Sequence, residues 1–115
     1  MNDDVLDLKE FLERVQDDKE LLLELLDIFQ QDFQDKRVLL NTAIEKNDYE
    51  QIKSIAHSLK GSSGNISAKT LRATMLIFEE MAKSKNLAEA RNIFNKMDGQ
   101  FEALKNRIQI LRKEL

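Results

Sequence analysis

Residues 87–115 read LAEARNIFNKMDGQFEALKNRIQILRKEL. Within this stretch Leu87, Ala90, Phe94, Met97, Phe101, Leu104, Ile108, Leu111 and Leu115 follow one another in alternate steps of three and four. At about 100° per residue, that spacing holds all of them on one face of a helix. A seam this long cannot be left in water, because an amphipathic helix is stable mainly through the packing of its apolar face. The stretch therefore predicts a long final helix and, with it, partner helices of comparable length. Gly99 lies off the seam, where it costs about 1 kcal/mol relative to Ala.

Such partners are found upstream. Leu22, Leu26, Phe29, Phe33, Leu40 and Ile44 form a second stripe, interrupted by Lys36, on a helix that would be roughly 44 Å long at the α-helical rise. Ile52, Ile55, Ala56 and Leu59 form a third, and Leu71, Met75, Phe78 and Ala82 a fourth. Together with a short N-terminal segment, the helices are expected over about 4–16, 18–46, 48–63, 67–84 and 86–114. Asp48 with Gln51, and Asn86 with Glu89, have the spacing of reciprocal N-terminal caps. Asp17 or Asp18 can cap the second helix and Ser67 the fourth, while Asn47, Gly64 and Asn65 stand where helices should stop. Short connections make successive helices antiparallel neighbours. The expected fold is thus all-α, an up-down-up-down four-helix bundle with a short extra N-terminal helix across one end.

The bulk numbers agree with one unit of this kind, spanning 1–115. The chain has 115 residues, 42% hydrophobic and 34% charged, with no Pro, no Trp and three Gly. That length can bury a core without a metal or a crosslink. The absence of Cys excludes thiol chemistry and thiolate metal sites and suits a reducing compartment, so a cytoplasmic location is expected. A formal net charge of −3 offers no positive field for nucleic acid or anionic lipid. The opening MNDDVLDLKE carries acids where a signal peptide carries bases, and no apolar run reaches a membrane span. A monomeric protein, free of nucleic acid and membrane, is expected.

Chemistry concentrates in SIAHSLKGSSGNISA, residues 54–68, which contains the single histidine of the chain and two of its three glycines. On a helical wheel His57 lies about 200° from Leu59, so a core-facing Leu59 sends the imidazole to water. Lys53, Lys60, Gly61 and Gly64 all fall within about 60° of it. Imidazole is a competent nucleophile near neutral pH. Lys60 supplies a mobile cation for an anion arriving at the ring, and the missing side chain of Gly61 clears an approach to it. The same residues also fit a solvated histidine on a wet face whose glycines merely end the helix. By themselves they leave both readings standing.

The run AHSLKGSSGNISA resembles the signature of the histidine-containing phosphotransfer (HPt) domains, His-x-Leu-Lys-Gly on the second helix of a four-helix bundle. The resemblance extends over essentially the whole chain, through its size, helix order and long final helix. It implies that His57 is the phosphoacceptor, that Lys60 helps hold the phosphoryl group and that Gly61 keeps the approach open. It also implies that Glu79, twenty-two residues after the histidine, hydrogen-bonds and orients the imidazole. The family commonly has Gly ten residues after the histidine, where this chain has Ser67.

The function implied is that of a phosphorelay intermediate. His57 would accept a phosphoryl group from the aspartate of a response-regulator receiver domain, or from an upstream sensor histidine kinase, and pass it to another receiver. The chain would be a carrier without turnover of its own, unless it is a piece of a hybrid histidine kinase. It would bind no cofactor, Mg²⁺ being brought by the receiver. Docking needs an apolar patch, for which Phe11 and Leu12, beside Leu8 and Val15, are the candidates, with Lys53 and Gly64 on the histidine's own face. Two other readings bear on the same fold. A carboxylate-bridged di-metal bundle needs two Glu-x-x-His pairs, and a chain with one histidine, preceded at that position by Ser54, cannot build it. A helical adaptor in which His57 does nothing is the alternative.

Overall fold

A computed structural model of the protein describes residues 4–115. The apolar stripes become five helices: α1 (Leu8–Arg14), α2 (Lys19–Glu45), α3 (Tyr49–Asn65), α4 (Lys69–Ser84) and α5 (Ala90–Glu114). Helix α2 packs against α3 and α5, and α4 packs against the same two, so the four long helices form a ring in chain order. Its long axis measures 42 Å against 22 and 21 Å across, close to the length anticipated for the second helix. Every residue of the α2, α3 and α4 stripes is buried, as is the α5 seam from Ala90 to Leu111. Only the seam's two ends, Leu87 and Leu115, emerge. At the centre Phe33 stacks on Phe101 with ring centroids 4.2 Å apart.

Side-chain caps start the first three helices as short polar residues do generally. Asp7 accepts from the Glu10 amide, Asp18 from Leu21 and Asp48 from Gln51, at 3.0–3.1 Å. The helix ends share one device. Gln16, Asn47, Ser67 and Lys85 follow α1 to α4 with φ of 54°, 52°, 62° and 54°, the left-handed conformation that reverses the chain. After α3, the amide of Ser67 donates to the Gly64 carbonyl and that of Ala68 to Ser63, which satisfies carbonyls the helix leaves open.

This corrects three expectations. Ser67 is not the cap of α4 but the left-handed residue between the two helices, and Ala68 takes the cap position without a side-chain bond. Gly64 does not stop α3, which runs on to Asn65. The Asn86–Glu89 pair does not open a helix at 86: Asn86 Oδ1 accepts from the Ala88 amide two residues on, a local turn that postpones α5 to Ala90.

Polar ties fix the phase of the ring. Arg37 on α2 grips Asp98 on α5 with two bonds of 2.6 Å, and Thr74 Oγ1 on α4 donates to Gln100 Oε1 on α5 at 2.6 Å. At one end α1 is tied to the α3–α4 turn. The Asp7 amide donates to the Ser67 carbonyl, the Ser67 hydroxyl donates to Glu10, and Lys69 pairs with Asp7 and Glu10.

Gly99 sits exposed on α5 with nothing within 4 Å of where a Cβ would stand. Gly99→Ala should therefore stabilise the bundle by about 1 kcal/mol through helix propensity and a less flexible unfolded chain. Thermal unfolding should register that gain as an upward shift of about 4 °C. A fall in the midpoint would contradict it.

Candidate functional site

Helix α3 turns Ile52, Ile55, Ala56 and Leu59 into the core, so His57, between Ala56 and the next core position, is sent outward. Its side chain is 73% exposed. Across the groove α4 runs the other way and presents Glu79, whose side chain is only 11% exposed. The two meet with Nδ1 of His57 3.3 Å from Oε2 of Glu79. The other carboxylate oxygen, Oε1, pairs with Lys60 Nζ at 2.6 Å. One carboxylate thus links the imidazole to the ammonium one turn further along α3.

Charge fixes the protonation pattern. The Lys60 ammonium holds the Glu79 carboxyl below the usual carboxylate value, against the opposing effect of burial and with further help from His57. A carboxylate ionised at neutral pH can only accept. The contact therefore puts a hydrogen on Nδ1, and in the neutral ring the lone pair is then on Nε2. The stability Glu79 adds is present above the ordinary carboxylate range and is lost only as pH falls through the lowered value. The arrangement is accordingly intact throughout the neutral range.

The surroundings of the ring are open on the side of the glycines. A Cβ built on Gly61 meets nothing within 4 Å, whereas one on Gly64 would come within 3.3 Å of the Cδ and Nε of Arg72. Arg14 Nη1 also donates to the Gly64 carbonyl at 2.7 Å. Lys53 is exposed one turn before the histidine, on the same face.

Two expected placements change. Lys60 is not a fully exposed cation: its side chain is 23% exposed and paired to Glu79, because the register between α3 and α4 puts a carboxylate beside it. Phe11 is 1% exposed and belongs to the core, so it offers no surface to a partner, while Leu12 is only partly buried against that core. Exposed apolar surface beside α3 includes a cleft on its α2 side. There Leu25, Ile28, Phe29, Asp32, Ser62 and Ile66 line a cleft of about 280 Å³, and Ile28 is 61% exposed. A second feature went unread. Lys36, the interruption in the α2 stripe, donates to Ser58 Oγ at 2.7 Å and to Asp32 at 3.1 Å, which ties α2 to the residue after His57. A lysine standing in an apolar stripe was the available signal for it.

Comparison with known proteins gives the family and the fold. The family model of the Hpt domain matches residues 24–114, and the chain belongs to that family. Histidine-containing phosphotransfer protein 2 of Arabidopsis thaliana is 31% identical over 62 residues, covering 54% of this chain and 40% of that protein. The aligned region thus spans less than half the length of that relative. The crystal structure of histidine-containing phosphotransfer protein B (HptB) from Pseudomonas aeruginosa PAO1 superimposes with a TM-score of 0.82 at 26% identity, over all of this chain and 96% of that one. The all-α bundle is common to this chain and that structure.

Proposed function

We propose that the chain is a phosphorelay carrier in which Nε2 of His57 takes a phosphoryl group from the aspartyl phosphate of a receiver domain and gives it to the aspartate of another. One observation carries this reading: an exposed imidazole whose Nδ1 is held by an ionised, largely buried carboxylate. In the forward step the Nε2 lone pair attacks phosphorus, the N–P bond forms, and the P–O bond to the aspartyl carboxyl breaks. That carboxylate leaves with the electron pair. The ring, now phosphorylated on Nε2 and protonated on Nδ1, carries a positive charge that Glu79 offsets at 3.3 Å. Transfer through a loose, in-line transition state depends chiefly on positioning and charge.

Lys60 has two parts in this scheme. Before transfer it keeps Glu79 ionised, and once the phosphoryl group is in place its flexible ammonium can lean toward the new oxygens. The Mg²⁺ that assists the chemistry belongs to the receiver, and this chain contributes no metal ligand and no turnover. We read the chain as a monomer that works in the cytoplasm, the compartment of the receivers and kinases it would serve. Among the described residues no helix is long and apolar enough to cross a membrane.

The test is incubation with a phosphorylated receiver, which should leave an acid-labile, alkali-stable label on the wild type and none on His57→Gln. Absence of label on the wild type with every receiver and kinase tried would favour an inert helical adaptor.

The receiver needs a desolvated contact, and the cleft around Ile28 supplies the apolar surface nearest α3 on the α2 side. Ile28→Asp should raise the receiver's Kd about tenfold by placing a charge in that contact, with little change in melting temperature for so exposed a residue. Titration of labelled receiver would measure the first and thermal unfolding the second, and unchanged affinity would remove the cleft from the interface.

A further inference from the structure

Most cations around the turn between α3 and α4 are already spoken for. Arg14 pairs with Glu10, Lys69 with Asp7 and Glu10, and Lys60 with Glu79. Arg72 differs. It is exposed on α4, and none of the described carboxylates pairs with it. Its position is nonetheless defined, since its Cδ and Nε lie 3.3 Å from where a Cβ of Gly64 would stand. The arginine stem is laid against α3 in the gap that this glycine leaves. Gly64 is seven residues after His57, which on a helix is a rotation of about 20° and an advance of about 10 Å. A guanidinium that no described carboxylate neutralises is therefore held on the face of α3 that carries the imidazole, about two turns along, at the edge of a cleft of about 540 Å³ whose lining includes Glu10, Arg14, Lys69, Arg72 and Leu76.

We infer that Arg72 is a docking cation that takes a carboxylate side chain of the receiver domain, about 10 Å from its phosphorylated aspartate, and so selects among receivers. The inference rests on the carrier function proposed above. The spacing argues for docking rather than chemistry, because Gly64, against which the stem lies, is two helical turns from His57. The partner's group is an acid, because a planar guanidinium forms its strongest contacts with a bidentate anion and that anion, in a protein partner, is a carboxylate. At the rim of a transient complex such a pair acts on encounter rate and choice of partner more than on the chemical step. Gly64 serves it by leaving room for the stem.

The experiment takes the receiver that labels the wild type fastest and measures transfer to His57 as a function of receiver concentration. Arg72→Ala should raise KM about fivefold and Arg72→Glu about twentyfold or more, with the maximal rate unchanged and the differences shrinking at 0.5 M salt, as for steered rim contacts. Gly64→Ala, which crowds the stem, should give a smaller rise in the same sense. Labelling by phosphoramidate, a small donor that has no docking surface, should be the same for wild type and Arg72 variants. An unchanged KM in both Arg72 variants at low salt would overturn the inference while leaving the carrier reading in place. A wild-type chain that takes label from neither receiver nor phosphoramidate would overturn the two together.

Discussion

Exchange of His57 for Gln should reduce phosphoryl uptake from a receiver to zero within detection, with the melting temperature unchanged. The two halves of that result have separate origins. Glutamine retains a polar group of similar reach but has no nucleophilic nitrogen, so no N–P bond can form, and the chain holds no second histidine to take over. The fold is indifferent because the side chain is 73% exposed, and exposed substitutions away from caps and strained residues usually fall within about 0.5 kcal/mol. Label that survives on the variant would mean another acceptor. Loss of label accompanied by unfolding would mean that the imidazole is part of the scaffold, contrary to its exposure. Phosphoramidate labelling of wild type and variant, followed by acid and alkali treatment, separates a phosphohistidine from an aspartyl or seryl phosphate.

Why some of this was legible in the sequence and some was not follows from the range of each interaction. The stripes on α2 to α5 depend only on periodicity along one helix, and they are buried as read. The outward direction of His57 is equally local, being fixed by its angle to Leu59. The helix ends were harder, since Gln16, Ser67 and Lys85 adopt the left-handed conformation without the glycine or asparagine that normally advertises it. Only Asn47 gave that signal. All three glycines lie inside helices, none with positive φ. The pairing of Lys60 with Glu79 depends on the register between two helices, which a wheel of one helix does not contain. Phe11 lies in the core for a similarly non-local reason: α1 shows an apolar side whose destination, core or partner, is set by how that helix is tied to the α3–α4 turn. The Glu79 contact to His57 was anticipated through the family resemblance, and the antiparallel register supplies its physical cause.

Gly61→Leu should make the protein more stable and a far poorer acceptor. A Cβ at 61 would meet nothing within 4 Å, so the fold does not require a glycine there, yet glycine inside a helix costs about 0.8–1 kcal/mol against good helix formers. The bare position is thus a cost to the bundle with no return inside the bundle. Its return lies outside: position 61 is one turn beyond His57, about 40° around the helix, where a receiver must bring its aspartyl phosphate in line with Nε2. A leucine there holds the incoming domain off by more than an ångström, and displacement on that scale costs about a hundredfold in transfer rate. Gly99 provides the matched control, because it too is helical, exposed and free of neighbours within 4 Å but lies on α5, away from the imidazole. Gly99→Leu should share the gain in melting temperature and keep the wild-type transfer rate. If both variants transfer normally, the opening at Gly61 has no part in receiver access; if both transfer slowly, the loss comes from the bundle rather than from the approach to Nε2. Only a slow Gly61→Leu beside a normal Gly99→Leu assigns the missing side chain to the visiting domain.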